Sequence, residues 1–148
     1  MKKSILIFTV LIFFSFNLNF QVTAQTINDS LAIKNACLDY LEGWYSGDAK
    51  RMEKALHPNL VKRRIVKLEQ TGGNLIDQVS ANDMIEYTKA GFGKQQAGEE
   101  IKNLIEILHI YKGIATVKAI SKDYVDYIHI GKFNNEWKII NVLWEINK

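Results

Sequence analysis

The side chains of this sequence that commonly do chemistry are few and scattered. Its three histidines, His57, His109 and His129, lack the short spacing of metal ligands, so no histidine metal site is predicted. His57 stands directly before Pro58. It is either a general base or metal ligand, or a helix-ending residue whose imidazole satisfies nearby backbone groups. Cys37 is the sole cysteine, which excludes an internal disulfide and a cysteine-based metal site.

The last predicted hairpin holds the polar residues best suited to line a pocket. A two-residue turn at Asn134-Asn135 places Ile128 opposite Asn141 and Asp126 opposite Leu143. Asp126 and Asn141 then share one face with isoleucines. A buried carboxylate there would have a raised pKa and could act as an acid or base. Alternatively, Asp126 pairs with a neighbouring cation or lies near a rim, and a register slip of one residue would exchange the two faces.

Aromatic and basic residues provide the remaining candidates. Tyr40 and Trp44 are four residues apart on one helical face, where they either anchor the core or line a hollow and stack on a flat ligand. Lys62, Arg63 and Arg64 form a solvated strand face, or strand alternation directs one or two of them toward an anionic ligand or a subunit contact. No catalytic residue and no metal ligand is assigned. The candidate ligand-pocket residues are Tyr40, Trp44, His57, Arg63, Asp126 and Asn141.

The first 24 residues have the pattern of a signal peptide. Lys2 and Lys3 precede an apolar run, and Val22-Thr23-Ala24 suits cleavage before Gln25. The apolar run is short of the roughly 20 residues of a membrane-spanning helix. Cleavage removes two lysines and no acid, so 19 basic and 16 acidic residues become 17 and 16, a net charge of +1. We therefore expect a periplasmic or secreted domain over residues 25–148, with no nucleic-acid partner and no membrane association after cleavage.

Hydrophobic periodicity and turn residues predict the order ααββαββββ for the mature chain. A first helix runs from Asn28 to a stop at Gly47, and Asp48 caps a second helix, Ala49 to Leu56. Ser80 and Asp83 form a start signal for a third helix, which ends at Ala90. The other segments read as strands, apart from a polar loop over residues 91–100. This order predicts an α+β fold, a curved antiparallel sheet packed on three helices around a hollow.

Three motifs carry a family resemblance: "YLEGWYSGD", "ALHPNLVKR" and "EWKIINVLW". With the order of elements, they resemble the nuclear transport factor 2-like superfamily and, within it, the bacterial putative lumazine-binding family. The resemblance covers nearly all of the mature chain. It implies a cone-shaped, cystatin-like α+β barrel that is frequently a homodimer through the outer face of its sheet, and it implies no particular activity.

The resemblance also allows a comparison with ketosteroid isomerase, which shares this cone. That enzyme needs a general-base Asp and an oxyanion hole, and in its group the base lies near the first strand. The corresponding stretch here, residues 59–65, contains cations and no carboxylate. This departure argues against proton abstraction by the same arrangement.

Three functions follow as hypotheses. The first is an exported domain that binds a flat heterocycle or an anionic metabolite, without catalysis and without a cofactor. The second is a small isomerase or dehydratase that uses Asp126 with Tyr40 or His57. The third is a dimeric interaction module that uses the outer face of the sheet. No Gly-x-Ser-x-Gly motif occurs, and the glycine-bearing segment after the third helix does not follow a strand, so hydrolase and nucleotide-binding readings are not supported.

Overall fold

The computed structural model of the protein describes residues 28–94 and 103–148. The predicted signal peptide and its cleavage site lie outside the described residues, as do residues 95–100 of the predicted polar loop. The chain divides into two compact units, Met1–Ala32 and Ile33–Lys148. Of the first unit the structure describes residues 28–32, which are helical. The sheet and the buried core belong to the second unit.

Within the described residues, three helices form where the sequence signals predict them. Helix α1 covers residues 28–46 and ends at Gly47, whose φ of 69° is a backbone conformation that glycine adopts without strain. Helix α2, Ala49–Ala55, begins at Asp48, whose carboxylate accepts from two backbone N–H groups of the first turn. Helix α3, Ala81–Lys89, begins with the predicted capping box of Ser80 and Asp83.

Six strands form one curved open sheet. They are β1 (Leu56–Lys67), β2 (Asn74–Ser80), β3 (Leu104–Tyr111), β4 (Ile114–Ile120), β5 (Tyr124–Phe133) and β6 (Glu136–Ile146). Their order across the sheet is β2-β1-β6-β5-β4-β3, in which only the β1–β6 pair is parallel. The predicted α+β fold and its order ααββαββββ are confirmed. The predicted second helix is one residue too long, because β1 already begins at Leu56.

The register of the last hairpin differs from the prediction at one point. The turn is as expected, since Asn134 and Asn135 have φ of 48° and 67°. However, a β-bulge in β6 shifts the pairing between His129 and Ile130, so Ile128 pairs with Val142 and Asp126 with Trp144.

The consequence of the bulge is an exchange of faces in the second half of β6. The predicted partners Asn141 and Leu143 lie on the outer face, and Val142 and Trp144 take their places on the inner face. The prediction that Asp126 and Asn141 share a face is therefore wrong. Its error was the assumption of a regular two-residue period through the whole strand.

The inner face of the sheet carries the core. Val117, Ile128, Ile139 and Val142 have no exposed surface, and the helices add buried apolar residues such as Met52. The outer face is different, since Tyr127 and Leu143 form an exposed cross-strand pair. The sheet thus has one face covered by the helices and one partly apolar face open to solvent.

Because the bulge places Val142 inside and Leu143 outside, the same substitution should affect stability very differently at these two positions. Val142→Asp should destabilise the protein by about 4 kcal/mol or more, because it buries a carboxylate without a partner. Leu143→Asp, the matched control on the outer face, should cost about 1 kcal/mol or less. Urea unfolding followed by circular dichroism measures both. A regular register would give the reverse ranking, which would contradict the structure.

Candidate functional site

A cavity of about 250 Å³ lies between α1, the inner face of the sheet and the region of α3. Its lining is mostly aromatic, and its polar lining consists of Lys62, Asp126 and Ser121 besides tyrosine hydroxyls. The aromatic lining residues are Tyr40, Trp44, Tyr45, Tyr87, Phe92, Tyr124 and Trp144. Pockets for small molecules commonly combine apolar walls with a few fixed polar groups in this way.

A buried cluster of three polar side chains lies at the wall of this cavity. The Lys62 ammonium donates to Asp126 Oδ1 at 2.7 Å and also donates to the Tyr40 hydroxyl. Tyr40 in turn donates to Asp126 Oδ1 at 3.4 Å. The side chains of Lys62 and Asp126 are only 9% and 2% exposed. The cluster therefore satisfies its own charge with little help from solvent.

Aromatic rings surround the Lys62 ammonium. The distances from Nζ to the ring centres of Trp144, Tyr40 and Tyr124 are 4.9, 5.2 and 5.7 Å. The rings of Trp144 and Tyr124 lie within the range of a cation–π interaction, which replaces part of the hydration that the buried ammonium loses, whereas Tyr40 meets the ammonium end-on through its hydroxyl oxygen. The ring walls and the ion pair thus give the buried ammonium partners in place of water.

Burial keeps two side chains protonated, Tyr40 within this cluster and Cys37 near it. Desolvation, followed by the negative charge of Asp126 and a hydrogen bond to it, raises the pKa of Tyr40 well above its ordinary value. Desolvation, with a smaller contribution from Asp126, raises the pKa of Cys37 to about 12. Tyr40 is therefore a neutral hydrogen-bond donor, and Cys37 is a buried thiol without nucleophilic character near neutral pH.

The rim of the cavity is held by two contacts. The Tyr45 hydroxyl donates to Ser121 Oγ at 3.1 Å or Asp123 Oδ2 at 3.0 Å, which joins α1 to the turn between β4 and β5. After α3, Gly93 lies so close to α1 that an added Cβ would be 2.2 Å from the carbonyl oxygen of Trp44. This close approach places the neighbouring Phe92 at the cavity.

The structure brings three of the six candidate pocket residues together. Tyr40, Trp44 and Asp126 all line the cavity, and Asp126 is 1% exposed. The position of Asp126 corresponds to the alternative in which it pairs with a neighbouring cation, here Lys62. That any of them contacts a ligand stays a prediction.

The other three candidates do not line this cavity. Arg63 donates from Nη1 to Asn141 Oδ1 at 2.7 Å, on the outer face where the bulge places Asn141. The His57 ring packs on Phe133 with ring centres 4.4 Å apart, and its Nδ1 accepts from the backbone N–H of Asn59 at 3.1 Å. His57 thus makes the backbone contact of a residue at a helix end.

The list of candidate pocket residues omitted Lys62, although it was one of three cations that alternation could direct toward a ligand, and it omitted Tyr124 and Trp144. In β1 the buried residues Leu60 and Lys62 alternate with the half-buried Val61 and Arg63, so a strict two-residue period from Leu60 would have placed Lys62 inside. The run of three cations concealed this signal, because such runs usually face solvent. For Trp144 no sequence signal was available, since its face depends on the bulge.

The part of the chain that the structure describes contains neither a metal-binding cluster nor a helix that could span a membrane. Residues 28–94 and 103–148 contain no group of three or more His, Cys, Asp or Glu side chains that could hold a metal ion. None of the helices in these two ranges combines the length and hydrophobicity that crossing a bilayer requires.

Comparison with known proteins decides the family. The model of the family described as "Putative lumazine-binding" matches residues 28–145. The chain belongs to this family. No curated protein matches the chain.

Several solved structures have folds similar to that of this chain. A protein of unknown function from Shewanella baltica, described as NTF2-like, superposes with a TM-score of 0.65 at 14% identity, over 82% of this chain and 96% of that one. LinA gives a TM-score of 0.60 at 9% identity, over 85% and 90% of the two chains. A putative scytalone dehydratase from Novosphingobium aromaticivorans gives 0.53 at 11% identity, over 85% and 89%. Likeness at such low identity establishes the fold alone.

The buried ion pair predicts strongly non-additive effects on stability. Lys62→Met and Asp126→Leu should each destabilise the protein by about 3–5 kcal/mol, because each leaves an uncompensated buried charge. The double variant should be far less destabilised than the sum of the two, since it buries no charge. Urea unfolding of the four proteins measures the coupling. Additive effects would show that the two charges do not interact in solution.

Proposed function

We propose that this chain is an exported small-molecule-binding domain of the nuclear transport factor 2-like type, and that the aromatic cavity around Lys62 and Asp126 is its binding site. The observation that carries the proposal is the combination of aromatic walls with a single pre-arranged polar cluster. The size of the cavity, about 250 Å³, is below the roughly 300–1,000 Å³ of pockets for drug-sized ligands. The proposed ligand is therefore small, with one or two rings.

The chemistry of the walls favours a flat ring system. Trp44 and Trp144 both line the cavity, and aromatic faces attract flat apolar or heteroaromatic groups through dispersion and ring electrostatics. Tyr87 and Phe92 stack on each other near the rim, with ring centres 5.2 Å apart. The family description supports a small-molecule ligand of the same general kind.

The state of the polar groups supports binding rather than catalysis. The Asp126 carboxylate already accepts hydrogen bonds from both Lys62 and Tyr40 at Oδ1, so this oxygen is occupied by groups of the protein itself. Cys37 and Tyr40 are held protonated near neutral pH. His57 does not lie among the residues that line the cavity.

The proposal includes export and a homodimer. Export rests on the sequence pattern of residues 1–24, with cleavage between Ala24 and Gln25 and a location in the periplasm or outside the cell. The dimer rests on the family resemblance and on the exposed apolar residues of the outer sheet face, which include Ile65, Ile76 and Leu143. A second copy would cover this face.

Native mass spectrometry of the mature protein, purified from its own host, tests the binding site. We expect an adduct of defined mass on the wild type, with one ligand for each subunit of a dimer. Val79→Trp adds bulk at the cavity wall and should abolish the adduct. Glu53→Trp, the control at an exposed position of α2 outside the cavity lining, should retain it. Equal adducts on both variants would place the ligand elsewhere, and a bare wild-type protein that also binds no added heterocycle would overturn the proposal.

A second candidate is an isomerase or dehydratase in which Asp126 abstracts a proton and Tyr40 assists. The adjacency of these two buried side chains at the cavity wall favours it. It predicts deuterium incorporation from D₂O into small enolisable ketones, and loss of that exchange in Asp126→Asn. Asp123→Asn, whose carboxylate lies at the rim, is the control. Exchange no faster than in buffer would exclude this chemistry for the ketones tested.

A further inference from the structure

We infer that the Lys62–Asp126 ion pair makes this cavity selective for uncharged ligands that present a hydrogen-bond acceptor, such as an amide or ring carbonyl, to the Lys62 ammonium. The inference rests on the proposed function, since it names the chemical class of ligand for the same cavity. It also decides between the two classes that the sequence left open, because it favours a neutral flat ring over an anionic metabolite.

The charged side chains that line the cavity balance each other. Among the described residues that line the cavity, only Lys62 and Asp126 are charged at neutral pH, and they lie 2.7 Å apart. A further cation, Arg64, packs on Trp144 with its Cζ 4.8 Å from the ring centre, and it is paired with Asp77 at 3.0 Å. Both cations near the ring system are thus balanced by a carboxylate.

The cluster of Lys62, Tyr40 and Asp126 keeps hydrogen-bonding groups that its internal bonds do not use. Lys62 has three N–H donors, and its bonds to described residues use two of them, one to Asp126 and one to Tyr40. The Tyr40 hydroxyl both accepts, from Lys62, and donates, to Asp126. The third N–H of the ammonium calls for an acceptor atom on the ligand, and Asp126 Oδ2, which takes part in neither of these bonds, calls for a donor. A primary amide carries both groups.

The balanced charges of Lys62 and Asp126 disfavour a ligand that carries a net charge. An anion would gain attraction from Lys62 but lose most of it to repulsion from Asp126, and it would still lose its hydration on entering the aromatic cavity. A cation would be attracted by Asp126 and repelled by Lys62, and it would lose its hydration in the same way. A neutral ring with a carbonyl loses little hydration and gains both the hydrogen bond and the ring contacts.

Three probes of nearly equal size and shape separate the possibilities. Benzoate, benzamide and benzamidine are a negative, a neutral and a positive single-ring compound at neutral pH. We expect wild-type protein to bind benzamide at least about tenfold more tightly than either charged probe. Quenching of tryptophan fluorescence reports binding, because Trp44 and Trp144 line the cavity, and ligand-observed NMR checks it independently.

Variants of the pair should change the preferred charge. Asp126→Asn leaves the ammonium uncompensated and should shift the preference to benzoate, whereas Lys62→Met leaves the carboxylate uncompensated and should shift it to benzamidine. The double variant Lys62→Gln/Asp126→Asn is the matched control, since it restores neutrality and should again prefer benzamide. Circular dichroism shows whether each variant is folded, and the ranking on wild-type protein stands even if a single variant is not.

The outcomes separate this inference from the function on which it rests. A wild-type preference for benzoate or benzamidine would overturn the inference and leave the binding function in place. An unchanged preference for benzamide in folded Asp126→Asn and Lys62→Met would show that the pair does not set the selectivity. Binding of none of the three probes, together with no adduct on protein from its host, would overturn the proposed function and this inference with it.

Discussion

The ion pair between Lys62 and Asp126 is the interaction on which the rest of this structure depends. The two residues belong to β1 and β5, which are not neighbours in the sheet, because β6 lies between them. Both side chains must therefore stand on the inner face and reach across β6 to meet at 2.7 Å. A buried pair of this kind adds little stability compared with apolar residues, but it is costly to break. Any arrangement of the sheet that separates the two charges is consequently disfavoured.

The β-bulge in β6 makes this meeting possible. It rotates the second half of the strand so that Trp144, opposite Asp126, comes to lie beneath the Lys62 ammonium. Without the bulge, Leu143 would take that position and the ammonium would lose its largest aromatic neighbour. The same rotation places Asn141 outside, where it accepts from Arg63. One extra residue in a strand thus assigns two polar pairs to opposite faces of the sheet.

Much of the fold could be predicted because its signals are local. Capping residues such as Asp48 and Ser80, the stop at Gly47 and the Asn134-Asn135 turn act within a few residues of themselves, and each lies where it was expected. The site was less accessible, since it depends on strands that are distant in the sequence. Tyr40 and Trp44 were found because their spacing places them on one helical face, and Asp126 because it alternates with the isoleucines of its strand. Lys62 was not chosen because it belongs to a run of three cations, and such runs usually face solvent, although the alternation from Leu60 places it inside. No local signal identifies its partner, a carboxylate 64 residues away.

The most direct test of the central claim is ¹⁵N NMR of the lysine side chains. If Lys62 is buried with Asp126 at the ligand site, its ammonium protons should exchange with water far more slowly than those of the exposed lysines, and its ¹⁵N signal should move when benzamide is added. Loss of that signal in Lys62→Arg assigns it. An ammonium that exchanges as fast as the others, and that does not respond to the probe, would contradict both the buried pair and its place in the binding site.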